Sequence, residues 1–373
     1  MNIIMVYADS AREWNCSQWR NLSPADALNR SDRNQAKLIH VSGFVDYLAP
    51  AIQELIAPAD IIIFQRNLIN EEVMNGIQYW QGMGKPVAVD LDDAYHILPW
   101  SNPAHKFWIE KENSISIDML EKGLSLCDGL IAPNKLLLND WKHVTDGYFL
   151  NNFSEKGWWE NLKSREEIKK EKNIASDRIV IGWGGSVSHY DSFHGSGIFD
   201  AAKAISNEFP NVLWMICGND DRIYHHLPVP NRQKIHQPGV LPNLWPQIVK
   251  IFDIGIAPLF GPYDQRRSWI KGLEYLHAGV PWIGTVGEPY NELRNFGVLT
   301  ENGASNWEIA IHRMIENLNE FQDTANNNIE LSKQFYADNQ IETFEKVFQK
   351  VINNFNQSKG ILPGVVYVSP EQQ

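Results

Sequence analysis

Short apolar, β-branched runs alternate along the chain with stretches of 3.6-residue periodicity. Asn2–Tyr7, Leu38–Ser42, Ile61–Gln65, Val87–Asp90, Gly129–Ala132 and Tyr148–Leu150 read as strands. Val45–Ile56, Glu71–Gly82 and Ile115–Leu126 carry apolar residues at helical spacing between them. Strand then helix, repeated, predicts parallel β-α units in a doubly wound sheet. From Ser154 to Ser176 the alternation stops. Lys169, Lys170 and Lys172 interleave there with Glu166, Glu167 and Glu171, which predicts a solvated helix at a linker. A membrane-surface helix would need a sustained apolar face. The alternation then restarts, with strands expected at Ile179–Trp183, Val212–Cys217, Lys234–His236, Ile254–Pro258, Trp282–Thr285 and Val298–Leu299. Helices fit Ile198–Glu208, Leu244–Phe252, Trp269–Ala278, Trp307–Leu318, Ile329–Phe335 and Ile341–Asn354. The expected fold class is α/β, with two Rossmann-like β/α/β domains facing across a cleft. In such sheets ligands sit beyond the carboxyl ends of the strands, so strand-to-helix loops should build the site.

Composition agrees with this picture and narrows it. The 373 residues suffice for about two domains. With 33 basic against 45 acidic residues the net charge is −12, so no extended nucleic-acid surface is expected. A small basic pocket for one phosphate group remains compatible. Cys16, Cys127 and Cys217 are widely spaced and form neither a metal pattern nor a disulfide framework, which points to a reducing, cytoplasmic setting. The start carries no basic stretch before a long apolar one, so no signal peptide is expected. No transmembrane segment is expected either, though peripheral membrane contact stays open. Fourteen tryptophans are many for this length. Trp14, Trp19, Trp100, Trp108, Trp183 and Trp269 fall in loops or helix starts expected to face the cleft, where flat rings can line a binding site. Trp80, Trp141, Trp214, Trp245, Trp282 and Trp307 read as packing residues, and Trp158-Trp159 marks the linker.

Three loops carry candidate chemistry. Gly182-Trp183-Gly184-Gly185-Ser186 follows a strand and allows close approach of a phosphate, or is simply a tight turn. The dinucleotide pattern G-x-G-x-x-G fails because Val187 holds its last position, which disfavours a nicotinamide dehydrogenase. Arg266-Arg267-Ser268-Trp269-Ile270-Lys271 opens a helix, with Glu274 one turn further on. Arg267, Ser268 and Lys271 fall within one turn, suited to a diphosphate, and a carboxylate at 274 can accept two ribose hydroxyls. An amphipathic helix with a Lys–Glu pair explains the same residues. Asp90-Leu91-Asp92-Asp93 ends a strand, with His96 just beyond. These carboxylates can hold a metal, orient hydroxyls, act as a base or cap a helix.

Taken together these stretches resemble GT-B glycosyltransferases, in particular retaining glycosyltransferase family 4 and its viral and bacterial relatives. Arg267-Ser268-Trp269-Ile270-Lys271-Gly272-Leu273-Glu274-Tyr275 through Gly279-Val280-Pro281 is similar to the K-S-x-x-K-x-x-E-Y-x-x-x-G-x-P run. Gly182–Ser186 with His189 and Asp191, Asp253–Leu259, Asp128–Pro133 and Asn151-Asn152-Phe153 also resemble family segments. Asp90-Leu91-Asp92-Asp93 is similar to the D-x-D-D of those relatives. Two departures stand out. Arg266 occupies the place of the first glutamate in the E-x7-E motif, and the loop Gly184–Tyr190 lacks Lys and Arg.

The resemblance implies transfer of a sugar from a nucleotide-diphosphate sugar, such as a UDP- or GDP-sugar, to a glycan or other small acceptor, with retention. It implies a first domain over 1–155, a donor domain over 156–338, a helix at 339–357 packed back on the first domain, and a tail over 358–373. Donor binding would fall to Gly184, Gly185, Ser186, Arg266, Arg267, Ser268, Lys271 and Glu274. Asp92, Asp93, His96 and Lys271 are the catalytic candidates, and Trp19, Arg20 and Arg66 the acceptor-side ones. No cofactor is required and a divalent metal is not expected, since the cations serve the leaving diphosphate. A nucleotide-sugar epimerase on the same scaffold and a non-catalytic sugar-binding module are the alternatives.

Overall fold

Two six-stranded parallel sheets form, one in each half of the chain. The structure is a computed structural model and describes residues 1–9, 15–109 and 115–359. Trp14 and most of the expected tail lie outside the described residues. The first sheet holds β1 (Asn2–Tyr7), β2 (Gln35–His40), β3 (Ile61–Gln65), β4 (Val87–Asp90), β5 (Gly129–Ala132) and β6 (Gly147–Phe149) in the order β2-β1-β3-β4-β5-β6. The second holds β7 (Ile179–Gly184), β8 (Val212–Cys217), β9 (Lys234–Gln237), β10 (Ile254–Ala257), β11 (Trp282–Thr285) and β12 (Val298–Thr300) in the order β12-β11-β10-β7-β8-β9. The chain therefore reverses direction across the sheet between β1 and β3 in one domain, and between β7 and β10 in the other. Such switch points leave a crevice at the strand ends.

Both faces of each sheet are covered, so the strands read as continuous apolar runs. In the first sheet Ile4, Val6, Ile62, Phe64, Val87 and Val89 pack on one side. Ile3, Met5, Ile61, Ile63 and Ala88 pack on the other, in a core that continues into the second domain. Strand β2 begins three residues before the expected Leu38, because Gln35 through His40 pair in register with Asn2 through Tyr7. Of the expected helix Val45–Ile56 only Pro50–Ile56 forms, and a short helix, Val41–Phe44, takes the end of the expected strand. Pro50 lacks the N–H that continuation would need and serves as a helix start.

The charged stretch after Ser154 is less solvated than expected. Its helix Arg165–Glu171 has a capping box of Ser164 and Glu167. Ile168 and Lys169 are buried. Lys169 Nζ sits 2.6 Å from Asp253 Oδ2, and Arg165 flanks the same carboxylate. The chain crosses between the domains at Ser154 and Tyr336, which pair as an isolated parallel bridge. The final helix, Ile341–Ser358, lies on the first sheet. Val351 packs beside Gly129, and the Asn354 amide donates to Asp146 at 3.1 Å. None of the described helices is long and apolar enough to cross a membrane.

Candidate functional site: a cleft between the two switch points

The ends of β4 and β7 face each other across one cleft. One chamber, of about 500 Å³, is lined from the first domain by Cys16, Trp19, Asp92 and Asp93, and from the second by Ser186, His189, Arg267, Lys271 and Glu274. A second chamber, of about 620 Å³, shares Trp19, Gly185, Lys271 and Glu274 with it. It extends to Asn219, the loop Pro238–Pro242, and the rings of Trp158, Trp159 and Trp245.

The second-domain wall is built by the helix Ile270–Ala278, which ends on Gly279 at φ +61°. Its apolar side enters the core through Leu273 and Leu276, so Lys271 and Glu274, three residues apart, share the face turned to the cleft. Lys271 Nζ lies 3.3 Å from Glu274 Oε2. The Trp245 ring lines the same chamber as Glu274, and Lys271 Nζ lies 6.0 Å from the centre of that ring. Burial pushes the Glu274 carboxyl up, and Lys271 and Trp245 oppose that shift. Arg267 is held from three sides. Its Nε donates to Asp264 Oδ1 at 2.7 Å, Nη2 to the Ser188 carbonyl at 2.9 Å, and Nη1 to His189 Nε2 at 2.9 Å. Burial, and then the cations Arg267 and Lys271, push His189 well below its ordinary value. His189 is therefore neutral, accepting at Nε2 with its proton on Nδ1, which has no partner among the described residues. Ser268 Oγ accepts from Asn152 at 2.9 Å, across the domain boundary.

The first-domain wall is carboxylate-rich. Asp92 accepts from the Tyr95 hydroxyl at 3.3 Å and stands near the Cys16 thiol, which burial and then Asp92 hold well above its ordinary range. Its Oδ2 lies 3.6 Å from Arg66 Nη1 and has no hydrogen-bond partner among the described residues. Arg66 stands at the end of β3 with φ +40°, a left-handed backbone that a non-glycine residue adopts only under constraint. Asp9, just past β1, pairs with it. Asp93 Oδ2 accepts from the Tyr263 hydroxyl at 2.8 Å, and burial raises its carboxyl against the pull of Arg267.

Among solved structures, HepE of Anabaena in complex with UDP superposes with a TM-score of 0.64 at 14% identity, covering 94% of this chain and 100% of that one. A sucrose-phosphate synthase of Thermosynechococcus elongatus matches at 0.63 and 9% identity, covering 94% and 99%. A glycosyltransferase of Rickettsia africae matches at 0.62 and 13% identity, covering 95% and 99%. The chain has the GT-B fold. No family model and no curated protein matches the chain at the sequence level.

Within this GT-B frame the expected site residues sort by position. Gly185, Ser186, Arg267, Ser268, Lys271, Glu274, Asp92, Asp93 and Trp19 line the cleft. Gly184 borders the second chamber, where its missing side chain makes room for an indole: a Cβ there would lie 2.0 Å from Trp245 Cη2. Four other expected residues are engaged with different groups. His96 turns from the cleft to Asp140, at 3.1 Å, and Arg266 pairs with the same carboxylate. An ion pair between domains has claimed both. Arg20 reaches the cleft wall, but its guanidinium is spent on Asp90, at 2.7 and 2.8 Å, and on the Leu150 carbonyl. Arg66 stands behind Asp92.

The tryptophan expectations are corrected. Trp183 and Trp269 are buried and Trp100 is 80% exposed. Trp108 stacks on Tyr95 instead. The rings at the cleft are Trp19, Trp158, Trp159 and Trp245. Strand parity explains Trp183: it points to the outer helix layer with Ile181, while Gly182 and Gly184 face Phe252 and Trp245.

Proposed function

We propose that this chain is a glycosyltransferase that moves a sugar from a nucleoside diphosphate sugar to an acceptor hydroxyl. The observation carrying this reading is the convergence of Arg267, Lys271 and Glu274 at the second switch point, opposite Asp92 and Asp93, in a GT-B fold. Structures of HepE with UDP, and with UDP and glucose, favour a UDP-sugar donor. Lys271 and Arg267 receive the diphosphate. Arg267 is already fixed by its partners, so its charge needs no reorganisation as the leaving phosphate becomes more negative. Glu274 meets the ribose hydroxyls, within reach of Trp245. The base enters the chamber bounded by Pro238–Pro242.

The acceptor docks at Trp19 and Asp92, whose carboxylate takes its hydroxyl proton or hydrogen bond. Retention is part of the proposal and rests on the motif resemblance. Because the cations carry the leaving-group charge, turnover is expected to survive a chelator. The three thiols stand unpaired, which fits a reducing, cytoplasmic setting.

Incubation with a panel of UDP- and GDP-sugars tests the reading. Release of nucleoside diphosphate that rises with added acceptor is expected. Conversion of the donor to an isomer without acceptor would identify an epimerase. Binding without turnover would identify a sugar-binding module.

A further inference from the structure

One second-domain side chain is packed in the wrong domain. Among the described residues, Tyr263 is the single one from beyond the linker in the hydrophobic cluster formed by Val6, Phe64, Val89, Leu91 and Tyr95 of the first domain. It lies on the short helix Gly261–Asp264, which the chain enters directly from the end of β10. Its hydroxyl is occupied on both sides by first-domain groups. It donates to Asp93 Oδ2 at 2.8 Å and accepts from the Asn102 amide at 3.3 Å. Neighbouring residues of the same segment are tied down likewise. Arg266 pairs with Asp140, and the Asn134 amide donates to the carbonyls of Gln265 and Arg267, each at 2.9 Å.

The other side of Tyr263 belongs to the donor site. The Arg267 guanidinium carbon lies 4.7 Å over the centre of its ring. That ring covers one face of the guanidinium, a direction in which the hydrogen bonds to Asp264, His189 and Ser188 give no support. The hydroxyl, held by the first domain, fixes the ring, and the ring fixes the out-of-plane position of the arginine.

We propose that Tyr263 is a positioning residue that makes the reaction-ready placement of Arg267 depend on docking of the two domains through Asp93. This rests on the functional reading above, in which Arg267 serves the leaving diphosphate. When the domains part, Asp93 leaves the Tyr263 hydroxyl and the ring is free to swing. Arg267 then keeps its second-domain partners but loses its stop. Donor binding survives in that state, while the group-transfer step does not. The device withholds full charge stabilisation until the acceptor wall is in place, which limits transfer of the sugar to water.

Tyr263→Phe tests this, because it removes one buried oxygen and keeps the ring. The expected result is a fall in kcat of about tenfold, with donor KM changed less than about threefold. The decisive reading is a cycle with Arg267→Lys, which retains the charge without the flat, stacked group. In that background Tyr263→Phe is expected to cost less than about twofold, since both changes remove the same device. Tyr263→Leu, lacking the ring, is expected to lower kcat by about a hundredfold in the native background. An unchanged kcat in Tyr263→Phe, or an equal loss in both backgrounds, overturns the proposal and leaves the functional reading standing. Failure of the native chain to bind any nucleoside diphosphate or release one from any donor overturns both.

Discussion

The two domains share an architecture and differ in the charge at their switch points. Around the first, at the ends of β1, β3 and β4, carboxylates dominate: Asp9 and Asp92 flank Arg66, and Asp93 stands beside them. The cations there, Arg66 and Arg20, are each paired with carboxylates. At the second, between β7 and β10, Arg267 and Lys271 project over a neutral His189 towards the same space, and Glu274 is the carboxylate between Lys271 and Trp245. Similar folds have thus been given opposite surfaces. On the proposed function, this difference favours an anionic ligand at the second domain and a hydroxyl-bearing one at the first, because phosphate placed beside Asp92 and Asp93 would be repelled.

The largest effect that can break this contrast is on Lys271. Lys271→Ala should lower kcat/KM by about 10²–10³-fold, read as nucleoside diphosphate release, with an unchanged circular dichroism spectrum. Activity near the native level would remove the polarity from the account. On the opposite wall, Asp92→Asn should raise acceptor KM about tenfold and leave UDP affinity within about twofold. Equal damage to donor and acceptor would mean that the walls are not separate in function. Gly184→Ala drives a methyl into Trp245 and should destabilise by about 1–3 kcal/mol in denaturant titration, weakening UDP binding as well.

A smaller, pH-dependent effect lies in the second-domain core. His277 is buried against Tyr336, donates from Nδ1 to Ser332 Oγ at 2.9 Å, and has no partner at Nε2 among the described residues. Burial lowers it to about 3. The unfolded chain protonates this imidazole below its ordinary pKa near 6.5, and the native one resists until about 3. His277 therefore favours the fold above pH 6.5, and stability should fall by about 1.4 kcal/mol per unit as pH drops from about 6. His277→Gln should flatten that slope in denaturant titrations at pH 7, 6 and 5.

Much of the fold was legible because parallel strands buried on both faces are apolar runs whatever their partners. Ile61–Gln65 and Val212–Cys217 begin and end where their composition says. Boundaries failed where pairing decides, as at Gln35–His40, an edge strand that opens on Gln35 and Lys37 either side of a lone Ala36. On the cleft wall, Lys271 and Glu274 were legible from helical spacing and family wording. His96 and Arg266 were misread because Asp140, more than forty residues from the one and over a hundred from the other, holds both. Trp245 and Trp183 exchanged roles for a reason written in backbone geometry. Which face of β7 meets the cleft depends on the helix that covers it. Nothing near Tyr263 in the chain announces that its partners, Asp93 and Asn102, come from the other domain.

The central claim is that the second switch point holds a nucleoside diphosphate through Lys271 and Arg267. Calorimetric titration of UDP, with GDP in parallel, into the native chain and into Lys271→Ala/Arg267→Ala tests it most directly. The account predicts one nucleotide bound per native chain and affinity weakened at least about a hundredfold in the double variant, with uridine alone bound weakly by both. Equal affinity of the native and double-variant chains for the diphosphate would contradict it.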